Sequence, residues 1–139
     1  MSGINLSRVV VGGLVAGVVA NALDFAINTY LMADEMADMT QRLNLNMAAV
    51  EASTTTWIIV DFIWGLLLVF AYAAMRPRFG AGPRTAVISG LTLWLGVTAV
   101  FAGLMAMGLY TQQAYIKASA LSIVSTLIPS LVGGYLYKE

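Results

Sequence analysis

The sequence contains no cysteine and no histidine. Without cysteine, disulfides, thiol redox chemistry and thiolate metal sites are excluded. Without histidine, histidine-ligated haem, the common zinc sites and an imidazole that titrates near neutral pH are excluded. Charged residues are scarce, at 10% of the chain, against roughly 25% in an ordinary soluble domain. The formal net charge is zero, so the composition offers no basic surface for nucleic acid.

Apolar residues are correspondingly abundant, at 60% of 139 residues. They are concentrated in four segments that are long enough to cross the ~30 Å hydrocarbon layer, which takes about 20 helical residues. We therefore predict a single all-α domain over residues 1–139, an integral membrane four-helix bundle. Its spans are predicted at about 9–32, 56–75, 85–108 and 114–137.

Methionines recur between the first two spans. The apolar residues there are spaced 3, 4, 4 and 3 apart, which predicts an amphipathic interfacial helix at about 34–50. Met32, Met36 and Met39 also resemble a methionine-only copper(I) site, because thioethers are soft ligands. A methionine stripe at this spacing is more often simply an apolar face. No other cofactor and no other metal site is predicted.

Basic residues are distributed unequally between the two sides of a four-span path. Only Arg42 and Lys117 fall on the side of the interfacial segment. The positive-inside rule then places both termini and the 76–84 loop in the cytoplasm. The basic residues on that side are Arg8, Arg76, Arg78, Arg84 and Lys138.

Small residues form stripes on two spans. Gly13 and Gly17 make a GxxxG pair, which lets another helix approach closely. The fourth span has small residues at strict i+4 spacing along one face. We predict that both stripes pack against helices, and the members on the fourth span include Ser122, Thr126, Ser130 and Gly134.

Two aspartates, Asp24 and Asp61, lie inside the predicted spans. A carboxylate in hydrocarbon costs ~2.5–3.5 kcal/mol even on the lenient insertion scale, so such a residue marks a functional site by default. Asn21, Asp24 and Asn28 share one helix face. That face is equally explained by hydrogen bonds to a neighbouring helix, and Asp61 is shallow enough to be solvated among the headgroups.

Aromatic residues flank the second acid. Trp57, Asp61 and Trp64 share a face, which predicts an aromatic lining beside a polar position. The two acids fall in the same leaflet, so we predict one outward-facing pocket with Lys117 near its mouth as the counter-ion. Two neighbouring carboxylates cannot both ionise cheaply unless Lys117 or a bound cation compensates. The predicted polar pocket comprises Asn21, Asp24, Asn28, Asp61 and Lys117.

Three stretches resemble a family of small bacterial four-helix membrane proteins. They are Gly12-Gly-Leu-Val-Ala-Gly17 with Asn21, the Arg-Pro-Arg-Phe-Gly loop from Arg76, and the ending from Leu131 to Glu139. The resemblance implies a multi-pass protein of the bacterial inner membrane. It implies no activity.

Three functions remain open. The leading hypothesis is a non-catalytic accessory or interaction subunit, which packs through its Gly/Ala/Ser faces into a homo-oligomer or a larger membrane complex. The first alternative is a small homo-oligomeric transporter or proton-coupled carrier that uses Asp24. The second is a membrane protein that binds an apolar ligand such as a quinone, lipid or carotenoid. We do not expect an enzyme, because no nucleophile, metal set or phosphate loop accompanies the aspartates.

Overall fold

The computed structural model describes residues 3–138, and the regular structure in that range is entirely helical. A π-helical turn, Ile27–Leu31, continues the first helix without a break. Four stretches are long and apolar enough to cross a membrane, which confirms the prediction of an all-α chain with four such helices. The helices are α1 (Leu6–Ala26), α2 (Ala33–Arg42), α3 (Met47–Phe79), α4 (Pro83–Ala106) and α5 (Gln112–Leu136).

The four long helices run alternately up and down, and hydrogen bonds show which of their ends meet. The Asn5 amide donates to the Tyr137 hydroxyl at 3.0 Å, and the Gly82 amide donates to the Tyr72 hydroxyl at 3.1 Å. The two tyrosine rings meet edge to face, with centroids 6.0 Å apart. The start of α1, the α3–α4 turn and the end of α5 therefore share one end, here called the basic end. The opposite end is called the α2 end.

The turn at the basic end is shorter than the predicted 76–84 loop. α3 continues through Pro77 to Phe79, and Pro83 opens α4. Pro83 is accommodated because a first-turn residue has no intrahelical N–H bond to lose. Gly80 and Gly82 have φ values of 86° and 135°, which glycine adopts without the strain that a side chain would bring.

The closest helix contact joins α1 and α3 through three glycines. A Cβ atom on Gly65 would lie 2.4 Å from the Gly13 carbonyl oxygen and 2.4 Å from the Gly17 nitrogen. Cβ atoms on Gly13 and Gly17 would in turn come within 3 Å of the backbone of Leu66 and Phe62. The two backbones touch because no side chain separates them, as is typical of a GxxxG face. Gly65 is a partner that the sequence analysis did not identify.

α5 packs against both α1 and α4, so α1 and α4 lie on either side of it. A Cβ atom on Gly12 would be 3.0 Å from the Gly133 carbonyl oxygen, which brings α5 close to α1. On the other side, the Ser130 hydroxyl donates to the Ala86 carbonyl at 2.7 Å. Small and hydroxylated residues thus fasten α5 to its neighbours, because they give close approach and a hydrogen bond where water is absent.

The other predicted packing residues of α5 also contact the chain's own helices. Thr126 and Gly134 are buried, and Gly134 faces Tyr72 and Ala86. Ser122 is half-buried and accepts a hydrogen bond from the Trp94 indole at 3.0 Å. The stripe therefore lies inside the molecule along much of its length.

The predicted helix at 34–50 is too long. α2 ends at Arg42, and Asn44 then takes a positive φ of 50°, a conformation that breaks a helix. Asn46 starts α3, because its side-chain oxygen accepts hydrogen bonds from the amides of residues 48 and 49. α3 therefore begins nine residues before the predicted span at about 56–75. At 33 residues, α3 is about 50 Å long, which exceeds the hydrocarbon thickness.

Substitution of Gly65 tests the α1–α3 contact. Gly65→Ala should lower the free energy of unfolding by about 1–3 kcal/mol, because its methyl group must push two backbones apart. Gly96→Ala on α4 is the matched control, since nothing lies within 4 Å of its Cβ position. Unfolding in mixed detergent micelles measures both. Equal stability of the two variants would contradict the contact.

Candidate functional site

A cavity of about 1080 Å³ lies toward the α2 end. All four long helices contribute to its wall, and so do the π-helical turn and α2. The cavity is only partly enclosed: Phe25 and Trp57 line it and are still 66% and 56% exposed. A space of this size exceeds any packing defect and is in the range that holds a small organic molecule.

Asp24 and Asp61 lie on facing helices and meet in the wall of this cavity. Asp24 projects from α1 and Asp61 from α3, both line the wall, and their carboxyl groups interact directly. Asp61 is only 9% exposed, while Asp24 is half-buried. The Ser125 hydroxyl of α5 also interacts with the Asp24 carboxyl. Three helices therefore converge on one acid pair.

The glycine contact explains why the acids meet. α1 and α3 are antiparallel and touch where Gly17 lies against Gly65. Asp24 comes two turns after Gly17, and Asp61 comes one turn before Gly65, so both acids lie on the cavity side of the contact. At 1.5 Å per residue these offsets are about 10 Å and 6 Å, close enough for the two side chains to meet.

The two predicted asparagines line the cavity, but their amide groups are hydrogen-bonded to main-chain carbonyls. Asn21 donates to Gly17 at 3.0 Å and to Ile58 of α3 at 3.3 Å. Asn28 donates to the main-chain carbonyl of Asp24 at 2.8 Å. Asn21 thus joins α1 to α3, which is the packing role that the sequence left open.

Aromatic side chains form much of the remaining wall. Trp57 lines the cavity, as do Phe101 and Tyr110, whose ring centroids are 5.5 Å apart. Tyr115 also lines it and donates its hydroxyl hydrogen bond to the Thr98 carbonyl at 3.0 Å. Aromatic rings therefore line the same cavity as the two acids.

Trp64 does not line the cavity with Trp57. Both tryptophans lie on the same face of α3, but Trp64 is one turn deeper than Asp61, beside Gly65. At that level α1 and α3 are already in contact, so the cavity has closed. Of the two predicted aromatic lining residues, Trp57 lies in the cavity wall and Trp64 does not, because Trp64 is too far along α3 toward the basic end.

Lys117 is a second correction, because it is not part of the cavity wall. Its ammonium group lies 2.7 Å from the Glu35 carboxylate of α2. Arg42, the other basic residue at this end, donates to the carbonyls of Gly108 and Leu109 at 2.8 and 3.0 Å. Arg42 therefore fastens α2 to the segment that joins α4 and α5, and Lys117 fastens α2 to α5 itself.

The Lys117–Glu35 pair is partly exposed and is not part of the cavity wall. The hydrogen bond from Lys117 holds the pKa of the Glu35 carboxyl below its usual range. Glu35 is therefore ionised at neutral pH and keeps Lys117 occupied. Because the pair is screened by solvent, it positions α2 more than it stabilises the fold.

The three methionines of the proposed copper site all line the cavity. Met32 is buried at the end of the π-helical turn, while Met36 and Met39 come from α2. Their side chains add to the apolar part of the cavity wall. Within residues 3–138, no group of three or more acidic side chains converges as a metal site would require. Copper(I) binding by the methionines stays a prediction.

Sequence reasoning did not assign Ser125 to the acid pair. A signal existed, because Pro129 cannot donate to the main-chain carbonyl four residues earlier, which belongs to Ser125. Ser125 and Asp24 are far apart along the chain, so nothing in the sequence linked them.

No family model, curated protein sequence or solved structure matches this chain.

Proposed function

We propose that this chain is a membrane protein that binds a small, largely apolar molecule in the cavity at the α2 end. The observation that carries the proposal is the cavity of about 1080 Å³, with aromatic and methionine walls and two carboxyl groups. Ligand sites combine an apolar lining with a few placed polar groups in this way. Within residues 3–138 no group of metal ligands surrounds the aspartates, and we propose binding without catalysis.

The accessory-subunit hypothesis loses part of its original support. It rested on small-residue faces, but Gly13, Gly17 and Ser130 are already in contact with the chain's own helices. The specific observation still in its favour is on α4, where Gly96 and Gly103 have nothing within 4 Å of their Cβ positions. A second copy or another membrane chain could pack there. A stoichiometric partner that co-purifies in mild detergent would favour this function.

A carrier function remains compatible with the same site. Asp24 and Asp61 are the groups through which such a carrier would couple to protons, since buried acids in membrane segments commonly serve as proton relays. Binding is the step that a carrier and a binding protein share. We therefore propose binding as the function and test it first.

Filling the cavity tests the proposal. Ala118 lines the cavity on α5, whereas Ala120, two residues later, is exposed and does not line it. Bromoadamantane, a compact neutral apolar probe, should quench Trp57 fluorescence saturably in lipid nanodiscs. Ala118→Phe should weaken its binding at least about tenfold, a loss of 1.4 kcal/mol, and Ala120→Phe should leave binding unchanged.

The same titration carries its own controls. Trp57→Phe should remove the saturable component of the quenching and leave only the linear part that comes from probe in the lipid. Quenching that never saturates in the wild-type protein would contradict ligand binding. A loss of affinity in both phenylalanine variants would point to a general effect on folding.

We also propose a membrane topology with both termini in the cytoplasm of a bacterial inner membrane, with α2 lying at the outer surface as an interfacial helix. The arginines of the basic end support this orientation through the positive-inside rule. α2 supports it because its methionines turn toward the cavity, while Asp34 and Asp38 are exposed. The bacterial location rests on the family resemblance.

Cysteine labelling in intact cells tests the topology. The chain has no cysteine of its own, so single substitutions give a clean signal. A membrane-impermeant thiol reagent added outside should label Leu45→Cys at the α2 end and should not label Ala81→Cys in the α3–α4 turn. Labelling of Ala81→Cys alone would reverse the orientation.

A further inference from the structure

We infer that the molecule bound in the cavity is an amphipathic organic cation, whose positive group pairs with Asp24 and Asp61 and displaces a proton from them. The inference rests on the proposed function, since it names the class of molecule that the same cavity takes.

The charge of the site is unbalanced. Within residues 3–138, the ionisable side chains of the cavity wall are those of Asp24, Asp61, Tyr110 and Tyr115, and none of them is basic. Both basic residues at the α2 end have partners outside the cavity, as described above. Among the residues that the structure describes, the cavity wall therefore supplies no cation to the acid pair. A buried carboxylate without a compensating charge is costly, so a cationic ligand gains affinity by supplying it.

The walls suit an organic cation better than a hydrated metal ion. Trp57, Phe101, Tyr110 and Tyr115 present aromatic rings to the cavity. Aromatic faces attract alkylammonium groups by cation–π interaction. The methionines of α2 and the aliphatic wall would hold the apolar part. A neutral quinone or lipid would fill the same volume but leave the acid pair without a counter-charge.

Because the two acids are in contact, binding of a cation is coupled to release of a proton. Two ionised carboxylates in contact repel strongly where the dielectric constant is low, so without a cation the pair retains a proton. From the other helices, the hydroxyl of Ser125 on α5 contacts the pair and Thr98 on α4 lines the same cavity. Neither side chain titrates near neutral pH. When a cation binds, the proton leaves a carboxyl oxygen for the solvent. Loss of the proton adds one negative charge to the pair, and the positive group of the ligand pairs with it.

Two competitors of the same shape isolate the charge. Adamantyl-trimethylammonium and tert-butyladamantane differ by one nitrogen in place of one carbon, and the former is permanently charged. Each is titrated against bromoadamantane bound to the full chain in nanodiscs, with Trp57 quenching as the signal. The cation should bind at least about tenfold more tightly than its neutral isostere, a preference of 1.4 kcal/mol.

Variants and pH assign that preference to the acids. Asp24→Asn and Asp61→Asn, alone or together, should reduce it, while bromoadamantane binding shows that the cavity is intact. Asp34→Asn, an exposed acid on α2 outside the cavity, is the matched control and should keep the full preference. Affinity for the cation should rise with pH, by at most about tenfold per pH unit if one proton is released, and affinity for the isostere should not.

The outcomes separate this inference from the proposed function. If bromoadamantane binds but the two competitors have equal affinity, the inference is wrong and apolar binding stands. If the preference survives in both asparagine variants, the acids are not the site of the charge and the inference is also wrong. If bromoadamantane itself does not bind the wild-type protein, the proposed function fails, and the inference fails with it.

Discussion

The contact of α1 with α3 through Gly13, Gly17 and Gly65 is the constraint on which the rest of the molecule depends. In a bilayer, helices gain little from burying apolar surface against each other, so close packing and hydrogen bonds hold them together. Three glycines let the two backbones touch, and Gly12 with Gly133 brings α5 to the same core. The larger side chains toward the α2 end cannot approach so closely, and the cavity occupies the space between them.

The acid pair follows from the same contact. One register, fixed at Gly17 and Gly65, brings Asp24 and Asp61 within side-chain reach of each other on facing helices. Each acid alone would be a costly residue in an apolar segment. Together they form a site where charge can be exchanged, because the pair can hold a proton or accept a cation in its place. Asn21 supports this register through its hydrogen bond to Ile58 of α3.

Sequence reasoning predicted what depends on composition and helical period. The four apolar helices were recoverable because length and hydropathy determine them. The shared face of Asn21 and Asp24 was recoverable because a regular helix determines it. The features that sequence reasoning missed depend on how the helices pack against each other. Trp64 lies below the point where α1 and α3 close, and that depth is set by Gly65, which has no periodic partner in the sequence.

The ion pair of Lys117 also depends on how helices pack, and the sequence analysis assigned it the wrong partner. Lys117 was paired with the aspartates because they were the nearest acids at a similar membrane depth. Its partner is Glu35 instead, because α2 lies beside the start of α5. The helix break at Asn44 gives a weak sequence signal, since asparagine is tolerated within helices as well as at their ends. Ser125 was missed because nothing in a single sequence links α5 to α1.

Cross-linking of positions 24 and 61 tests the central geometric claim most directly. In a chain without native cysteine, Asp24→Cys with Asp61→Cys should join rapidly through a short bismaleimide, because the two side chains meet in the wall of one cavity. Asp24→Cys with Ile63→Cys is the control, since Ile63 is exposed and points about 160° away from Asp61 around α3 at 100° per residue. The account predicts an intramolecular cross-link in the first pair only. Equal yields in both pairs, or a link in the control pair alone, would contradict it.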